Sequence, residues 1–204
     1  MTTQVETSSI TRLLVLRHGQ SEWNALGRWQ GQADIELTQQ GISEASEAAE
    51  KLGTFDLIAT SSLQRARRTA EIIAAAHGVD DLIIDDRLKE SYIGPWEGLT
   101  YDEIESGWPG HLNARKMPEG FEPNESVLKR MTEVFIDLAD KCRGGQALII
   151  SHSGVIRTMR RSLHVTDTRL ENLGGCWFDI DSNNRLSAGR IVAVIGELNS
   201  SESL

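Results

Sequence analysis

The chain has 204 residues, of which 39% are hydrophobic, and a formal net charge of −9 at pH 7. This length and apolar content predict one domain over residues 10–198, with flexible termini at 1–9 and 199–204. The acidic balance argues against nucleic acid and against an anionic membrane as partners, because both require a basic face. No apolar run approaches the roughly 20 residues that cross a bilayer.

The cysteines carry no sign of a metal site or of a disulfide framework. Cys142 and Cys176 are far apart in the sequence and lack the spacing of metal ligands. No secretory signal precedes them, so we expect buried, unpaired thiols and a reducing, cytoplasmic setting.

The first predicted strand is the apolar run from Leu13 to Leu16, which ends at Arg17-His18-Gly19. A helix starting at Thr38 and ending at Gly53 follows, with apolar residues at helical spacing. Residues 56–60 are predicted to form a second strand. Ser61 or Ser62 is expected to cap the next helix, which closes at Gly78.

The second half of the chain again alternates strands and helices, with one irregular segment. Residues 82–84 predict an edge strand, and residues 85–122 predict an excursion with one short helix near 101–105. A long amphipathic helix covers residues 127–138. A buried strand at 147–151 ends in His152-Ser153-Gly154, a helix follows at 155–163, and alternation predicts strands at 176–180 and 190–195.

Alternating strands and helices predict an α/β fold with a mainly parallel sheet and helices on both faces. Two apolar strands end in a histidine, at His18 and at His152. If those strands are neighbours, both imidazoles lie in one crevice at the carboxyl edge of the sheet, where open α/β sheets bind ligands.

The residue types at this edge fit phosphoryl chemistry. Arg17 next to His18 makes a poor site for a metal cation but a good one for an anion. A neutral His18 can attack phosphorus, and the adjacent Arg17 disfavours its protonated form. Arg65, one turn into the second helix, can hold two phosphate oxygens. Glu90 is suited to donate a proton, since a neighbouring anion favours the protonated carboxyl.

Each of these residues has an alternative interpretation when taken singly. A histidine at a strand end is often structural, acidic residues in loops are usually solvated, and arginines at a helix start are commonly surface residues. The hypothesis depends on all four residue types falling at the edge of one sheet.

The chain resembles the histidine phosphatase superfamily, the branch with phosphoglycerate mutase and the fructose-2,6-bisphosphatase domain. The resemblance rests on five motifs in the order of the family, from Leu13 to Ile195: Leu16 to Asn24, Leu37 to Gly41, Ser61 to Ala66, Glu90 with Gly94 to Gly98, and Ser151 to Gly154.

That resemblance implies a three-layer α/β/α sandwich and a phosphohistidine mechanism without a metal or cofactor. His18 would be phosphorylated, and Glu90 would protonate the leaving group and later activate water. The phosphate pocket would contain five further residues: Arg17, Asn24, Gln30, Arg65 and His152.

The resemblance favours a phosphatase over a mutase. Mutases of the family carry a long insertion between the acid and the second histidine, and here Glu90 and His152 are only 62 positions apart (152 − 90). The expected substrate is a small phosphorylated metabolite of the sugar phosphate or phosphoglycerate type. A cofactor-dependent phosphoglycerate mutase and a catalytically silent phosphoprotein-binding module remain the alternatives, and an edge strand leaves room for a homodimer.

Overall fold

The computed structural model describes residues 9–166 and 168–196, and its centre is a six-stranded sheet. The strand order across the sheet is β3-β2-β4-β1-β5-β6. The strands are β1 (Thr11–Arg17), β2 (Leu57–Thr60), β3 (Leu82–Ile84), β4 (Gln146–Ser151), β5 (Gly174–Ile180) and β6 (Leu186–Ala193). The predicted flexible termini at 1–9 and 199–204 lie outside the described residues, except for Ser9.

Within the described residues, six α-helices connect and cover these strands. They are α1 (Glu22–Ala25), α2 (Gln39–Lys51), α3 (Gln64–Ala76), α4 (Tyr101–Gly107), α5 (Asn124–Lys141) and α6 (Ser153–Ser162). Within the described part of the chain, none of them is both long and apolar enough to cross a membrane.

The sheet is mainly parallel, as predicted. Strands β3, β2, β4 and β1 run parallel, whereas β5 runs antiparallel to β1 and β6 antiparallel to β5. Strand β1 is buried on both faces because alternate side chains enter different cores. Leu13 and Val15 pack with α5 and α6, and Leu14 and Leu16 pack with α2 and α3. The predicted three-layer α/β/α arrangement is therefore confirmed.

The predicted serine cap of α3 is wrong. The N-cap residue is Leu63, which makes no side-chain cap, because the helix begins later than a cap at Ser61 or Ser62 requires. Asp34 from a distant loop accepts the Gln64 N–H instead, at 2.7 Å. A carboxylate at a helix N-terminus is electrostatically favourable, so this long-range contact replaces the local cap.

The excursion after β3 has a small core of its own. Besides α4, it contains two short 3₁₀ turns, Asp86–Leu88 and Gly94–Trp96. Trp96 is fully buried and makes an edge-to-face contact with Trp29, at 5.5 Å between ring centroids. Glu97 accepts the Gln32 N–H at 2.6 Å. The excursion therefore holds the loop that contains Gln30 and Gly31.

The two cysteines have the state that the sequence predicts. Cys142 and Cys176 are both buried, and neither forms a disulfide. Burial raises the pKa of both thiols, which keeps them in the protonated, less reactive form.

Candidate active site

The two predicted histidines meet at the carboxyl edge of neighbouring strands. Strands β1 and β4 pair in parallel with Arg17 opposite Ser151, so the next residues, His18 and His152, emerge side by side. Their ring centroids are 5.2 Å apart, and the two residues are 3% and 0% exposed. The structure thus places both imidazoles in one buried site.

The two ring nitrogens of His18 have different partners. Nδ1 lies 2.6 Å from the carbonyl oxygen of Gly19, which can only accept, so Nδ1 carries the hydrogen. Nε2 accepts the Nε–H of Arg65 at 3.2 Å. The lone pair of His18 is therefore on Nε2, beside a guanidinium.

The surroundings of His18 keep its ring neutral. Burial lowers its pKa well below the ordinary value of 6.5, and the charges of Arg65 and then Arg17 lower it further. Arg17, the cause expected from the sequence, therefore contributes less to the lowered pKa than desolvation and Arg65 do. A neutral imidazole is the form that can attack an electrophile.

Arg65 lies at the start of α3 and is only 1% exposed, and its side chain is fixed by hydrogen bonds. Its Nη1 and Nη2 donate to the carbonyl oxygens of Ala33 and Gly31, each at 2.7 Å. Burial lowers its pKa to about 10, so the guanidinium keeps its charge at neutral pH. Each terminal nitrogen has a second N–H, which is suited to a phosphoryl oxygen.

Arg17 is held by a segment that sequence reasoning missed. Its Nη1 donates to the carbonyl oxygen of Leu170 at 2.8 Å. Two residues later, the side-chain amide of Asn172 donates to the carbonyl oxygen of His18 at 3.0 Å. These contacts span more than 150 residues of sequence, and no local pattern around Leu170 signals them.

Asn24 and Gln30 are joined through Ser21, which is fully buried. The Ser21 hydroxyl donates to Gln30 Oε1 at 2.8 Å, and Asn24 Oδ1 accepts the Ser21 N–H at 3.2 Å. Both amide oxygens are thus used within the protein. The NH₂ groups remain as the ends suited to donate to an anion.

Glu90 sits at the N-terminus of α6. Its Oε1 accepts the N–H groups of Ser91 at 2.9 Å and Val155 at 3.1 Å, and its Oε2 accepts the N–H of Gly154 at 2.9 Å. Because Oε1 already accepts two hydrogen bonds and Oε2 only one, the remaining position for a proton is on Oε2.

The backbone around Glu90 is held by a partly buried ion pair that sequence reasoning also missed. Arg130 on α5 donates to the carbonyl oxygens of Arg87, Lys89 and Glu90, at 2.7, 2.6 and 3.3 Å. The same guanidinium donates to both carboxylate oxygens of Glu122, at 2.8 and 2.9 Å. We call these two residues the Arg130–Glu122 clamp.

His152 has one partnered and one unpartnered nitrogen. Its Nε2 lies 2.9 Å from the hydroxyl oxygen of Ser61. Its Nδ1 is buried and has no hydrogen-bond partner in the described structure. Burial lowers the pKa of His152 well below its ordinary value, and Arg65 contributes next. The ring is therefore neutral and has one N–H.

The site brings together a neutral histidine nitrogen, two guanidiniums, further donors and a carboxyl group, a set of groups suited to hold a phosphoryl group. Residues 13–184 match the model of the histidine phosphatase superfamily, branch 1. The match covers every predicted site residue, from Arg17 to His152.

Two similar proteins are named for reactions of phosphate esters. The chain is 30% identical to a metal-independent phosphoserine phosphatase of Arabidopsis thaliana, over 74% of this chain and 68% of that protein. It is 34% identical to a 2,3-bisphosphoglycerate-dependent phosphoglycerate mutase of Mesorhizobium japonicum, over 74% of this chain and 80% of that protein.

A solved structure agrees with the sequence comparison. A mycobacterial glucosyl-3-phosphoglycerate phosphatase with inorganic phosphate superposes with a TM-score of 0.76 at 28% identity, covering 91% of this chain and 99% of the other. The chain therefore belongs to branch 1 of the histidine phosphatase superfamily.

Proposed function

We propose that this phosphoric monoester hydrolase acts without a metal, through a phosphohistidine at His18, on a small phosphorylated metabolite. The observation that carries the proposal is the state of His18. Its Nε2 has a lone pair, the ring is neutral, and the guanidinium of the buried Arg65 lies 3.2 Å away. A nucleophile and the cation that balances its target are thus adjacent.

In the first step, His18 Nε2 gives up the hydrogen bond from Arg65 Nε and forms a bond to phosphorus while the bond from phosphorus to the ester oxygen breaks. The leaving oxygen takes the proton of Glu90 Oε2, which gives the free alcohol and a carboxylate. The Nδ1–H of His18 donates to Gly19 and stabilises the positive charge that develops on the ring. Arg17 and Arg65 balance the charge of the phosphoryl oxygens.

In the second step, the Glu90 carboxylate takes a proton from water as the water oxygen attacks phosphorus. The bond from phosphorus to Nε2 breaks, phosphate is released, and His18 returns to its neutral form. The three backbone N–H groups around Glu90 stabilise the carboxylate between the two steps. One carboxyl group therefore serves first as acid and then as base.

The charge around His18 supports metal independence. Arg65 and Arg17 both raise the cost of bringing a further cation to this ring. The Arabidopsis relative, which is named as metal-independent, agrees with this proposal.

The mutase alternative draws support from the Mesorhizobium relative. The short interval between Glu90 and His152 supports water as the acceptor instead. Incubation with 3-phosphoglycerate decides between them. We expect phosphate release; formation of 2-phosphoglycerate only in the presence of a bisphosphate primer would favour the mutase.

The main test is hydrolysis of p-nitrophenyl phosphate in the presence of EDTA. We expect turnover by the wild-type protein and a loss of at least about a thousandfold in kcat for His18→Ala. His164→Ala is the matched control, because His164 is exposed just after α6. Unchanged turnover in His18→Ala, or activity that requires a metal, would contradict the proposal.

The intermediate can be located directly. After mixing with labelled substrate and quenching without acid, we expect the label on His18. A label on serine, cysteine or aspartate would overturn the mechanism. The substrate is then identified by comparing kcat/KM across phosphorylated metabolites, with phosphoserine and glucosyl-3-phosphoglycerate included because relatives are named for them.

A further inference from the structure

Ser61 lies directly after β2, at the same edge of the sheet as both histidines. It is fully buried, and its hydroxyl oxygen is 2.9 Å from His152 Nε2. The same oxygen accepts the Leu63 N–H at 3.3 Å. Ser61 begins the motif from Ser61 to Ala66, and the mechanism above uses Arg65 of that motif but not Ser61.

The hydrogen of the Ser61 hydroxyl has one acceptor. A serine hydroxyl offers one donor and two lone pairs, and Leu63 occupies one lone pair. Across residues 9–166 and 168–196, the acceptor within hydrogen-bond distance of that hydroxyl is His152 Nε2. If His152 were the donor, the Ser61 hydrogen would be buried without an acceptor, an arrangement that is rare in folded proteins.

We propose that Ser61 is a positioning residue that donates to His152 Nε2 and thereby fixes the tautomer with hydrogen on Nδ1, so that His152 donates to a phosphoryl oxygen. The role in phosphate binding rests on the proposed function. The hydrogen-bond partner of one imidazole nitrogen commonly decides which nitrogen is protonated.

The unpartnered Nδ1 of His152 supports this proposal independently. That nitrogen is buried and has no partner among the described residues, while its ring lies 5.2 Å from that of His18. A buried N–H facing an anion site gains an acceptor when the anion binds. In the other tautomer, Nδ1 would present a lone pair to a negatively charged oxygen, which is repulsive.

The two histidines then have complementary roles. The lone pair of His18 is on Nε2, where Gly19 fixes the hydrogen on Nδ1. His152 has the same tautomer, but its Nδ1–H is the group available to the phosphate, because its Nε2 accepts the hydrogen bond from Ser61. One ring thus provides a nucleophile and the other a hydrogen-bond donor.

The test is a ¹⁵N–¹H correlation spectrum of the imidazole rings in the full-length protein, which separates protonated from unprotonated ring nitrogens. For the wild type we expect His152 with a protonated Nδ1 and an unprotonated Nε2. Ser61→Ala should move His152 toward the Nε2–H tautomer, and Ser61→Thr, which keeps the hydroxyl, should retain the wild-type pattern.

Ser62→Ala is the matched control. Ser62 is the adjacent serine, and its hydroxyl donates to Asp86 at 2.5 Å rather than to the site. With p-nitrophenyl phosphate, we expect Ser61→Ala to raise KM about tenfold or more, the size of a lost hydrogen bond to a charged group. The Ser62→Ala and Ser61→Thr proteins should stay within about twofold of the wild type.

A wild-type spectrum with hydrogen on His152 Nε2 would overturn the proposal, and so would an unchanged His152 tautomer in a folded Ser61→Ala protein. The spectrum needs no turnover, so its result stands even if the proposed phosphohistidine mechanism fails. If Ser61→Ala does not fold, the wild-type spectrum alone decides the assignment.

Discussion

The carboxyl group of Glu90 has its position because Gly154 has no side chain. A Cβ atom at Gly154 would lie 2.5 Å from Glu90 Oε1 and 2.9 Å from its Cδ, closer than van der Waals contact allows. The same residue donates its N–H to Oε2. Gly154 therefore lets the first turn of α6 approach the carboxyl group closely enough to bind it.

We predict that Gly154→Ala lowers kcat for p-nitrophenyl phosphate about a hundredfold, because the Glu90 carboxyl must move away from the leaving oxygen. The backbone change itself is mild, so the melting temperature should fall by only a few degrees. Gly53→Ala is the control, since a Cβ atom there meets no atom within 4 Å. Wild-type kcat in Gly154→Ala would refute the assignment of Glu90.

At the scale of elements, α5 fixes the start of the excursion through the Arg130–Glu122 clamp. The two side chains are only 17% and 16% exposed. The guanidinium also donates to the backbone carbonyl groups of residues 87, 89 and 90. A packed helix thus determines where the Glu90 backbone lies, although Arg130 makes no contact with the carboxyl group itself.

We predict that Arg130→Gln destabilises the protein by about 2 kcal/mol, because buried carbonyl groups and the Glu122 carboxylate lose their donor. It should also lower kcat more than it raises KM, since Glu90 is displaced while the phosphate site is intact. Arg67→Gln, which removes an exposed pair with Glu71, should change stability by less than about 0.5 kcal/mol. If Arg130→Gln lowered the stability but left kcat unchanged, the clamp would not position Glu90.

Elements with a local signal were predictable, and contacts between distant elements were not. The apolar runs of β1 and β4 and the helical spacing in α5 identify those elements from sequence alone. The Asp34 cap of α3 and the Ser61 contact with His152 join residues 30 and 91 positions apart. Such pairs become visible only when the topology places the elements side by side.

One missed residue did carry a signal. Arg130 lies three residues after Val127 and four before Val134, and both valines are fully buried. A cation at helical spacing with core residues is unusual unless it is paired, because an unpaired buried charge is costly. The amphipathic pattern of α5 is therefore a signal for a partly buried ion pair, although it does not identify Glu122 as the partner.

At the scale of the whole molecule, the two buried histidines couple stability to pH. Burial, followed by the charge of Arg65, lowers the pKa of His18 and of His152 well below 6.5. Below about pH 6.5 the unfolded chain takes up protons at these sites while the folded protein does not. Protonation therefore favours the unfolded state, and stability falls as the pH drops.

We predict that the free energy of unfolding decreases between about pH 6.5 and 5, by up to about 1.4 kcal/mol per pH unit for each histidine. Most carboxylates stay ionised in this window, because their ordinary pKa values are near 4. Urea titrations at several pH values measure the slope, and His18→Asn should reduce it. Equal stability across the window would contradict the lowered pKa values.

Four of the five tryptophans of the chain lie in the excursion or pack against it. Trp96 contacts both Trp29 and Trp108, and Trp23 lies against Gly98, where a Cβ atom would be 3.1 Å from its ring. Trp177 is elsewhere, beside Phe55. Four of the five intrinsic fluorophores thus report on the excursion, so we expect a ligand-induced change there to alter the tryptophan fluorescence without an attached dye.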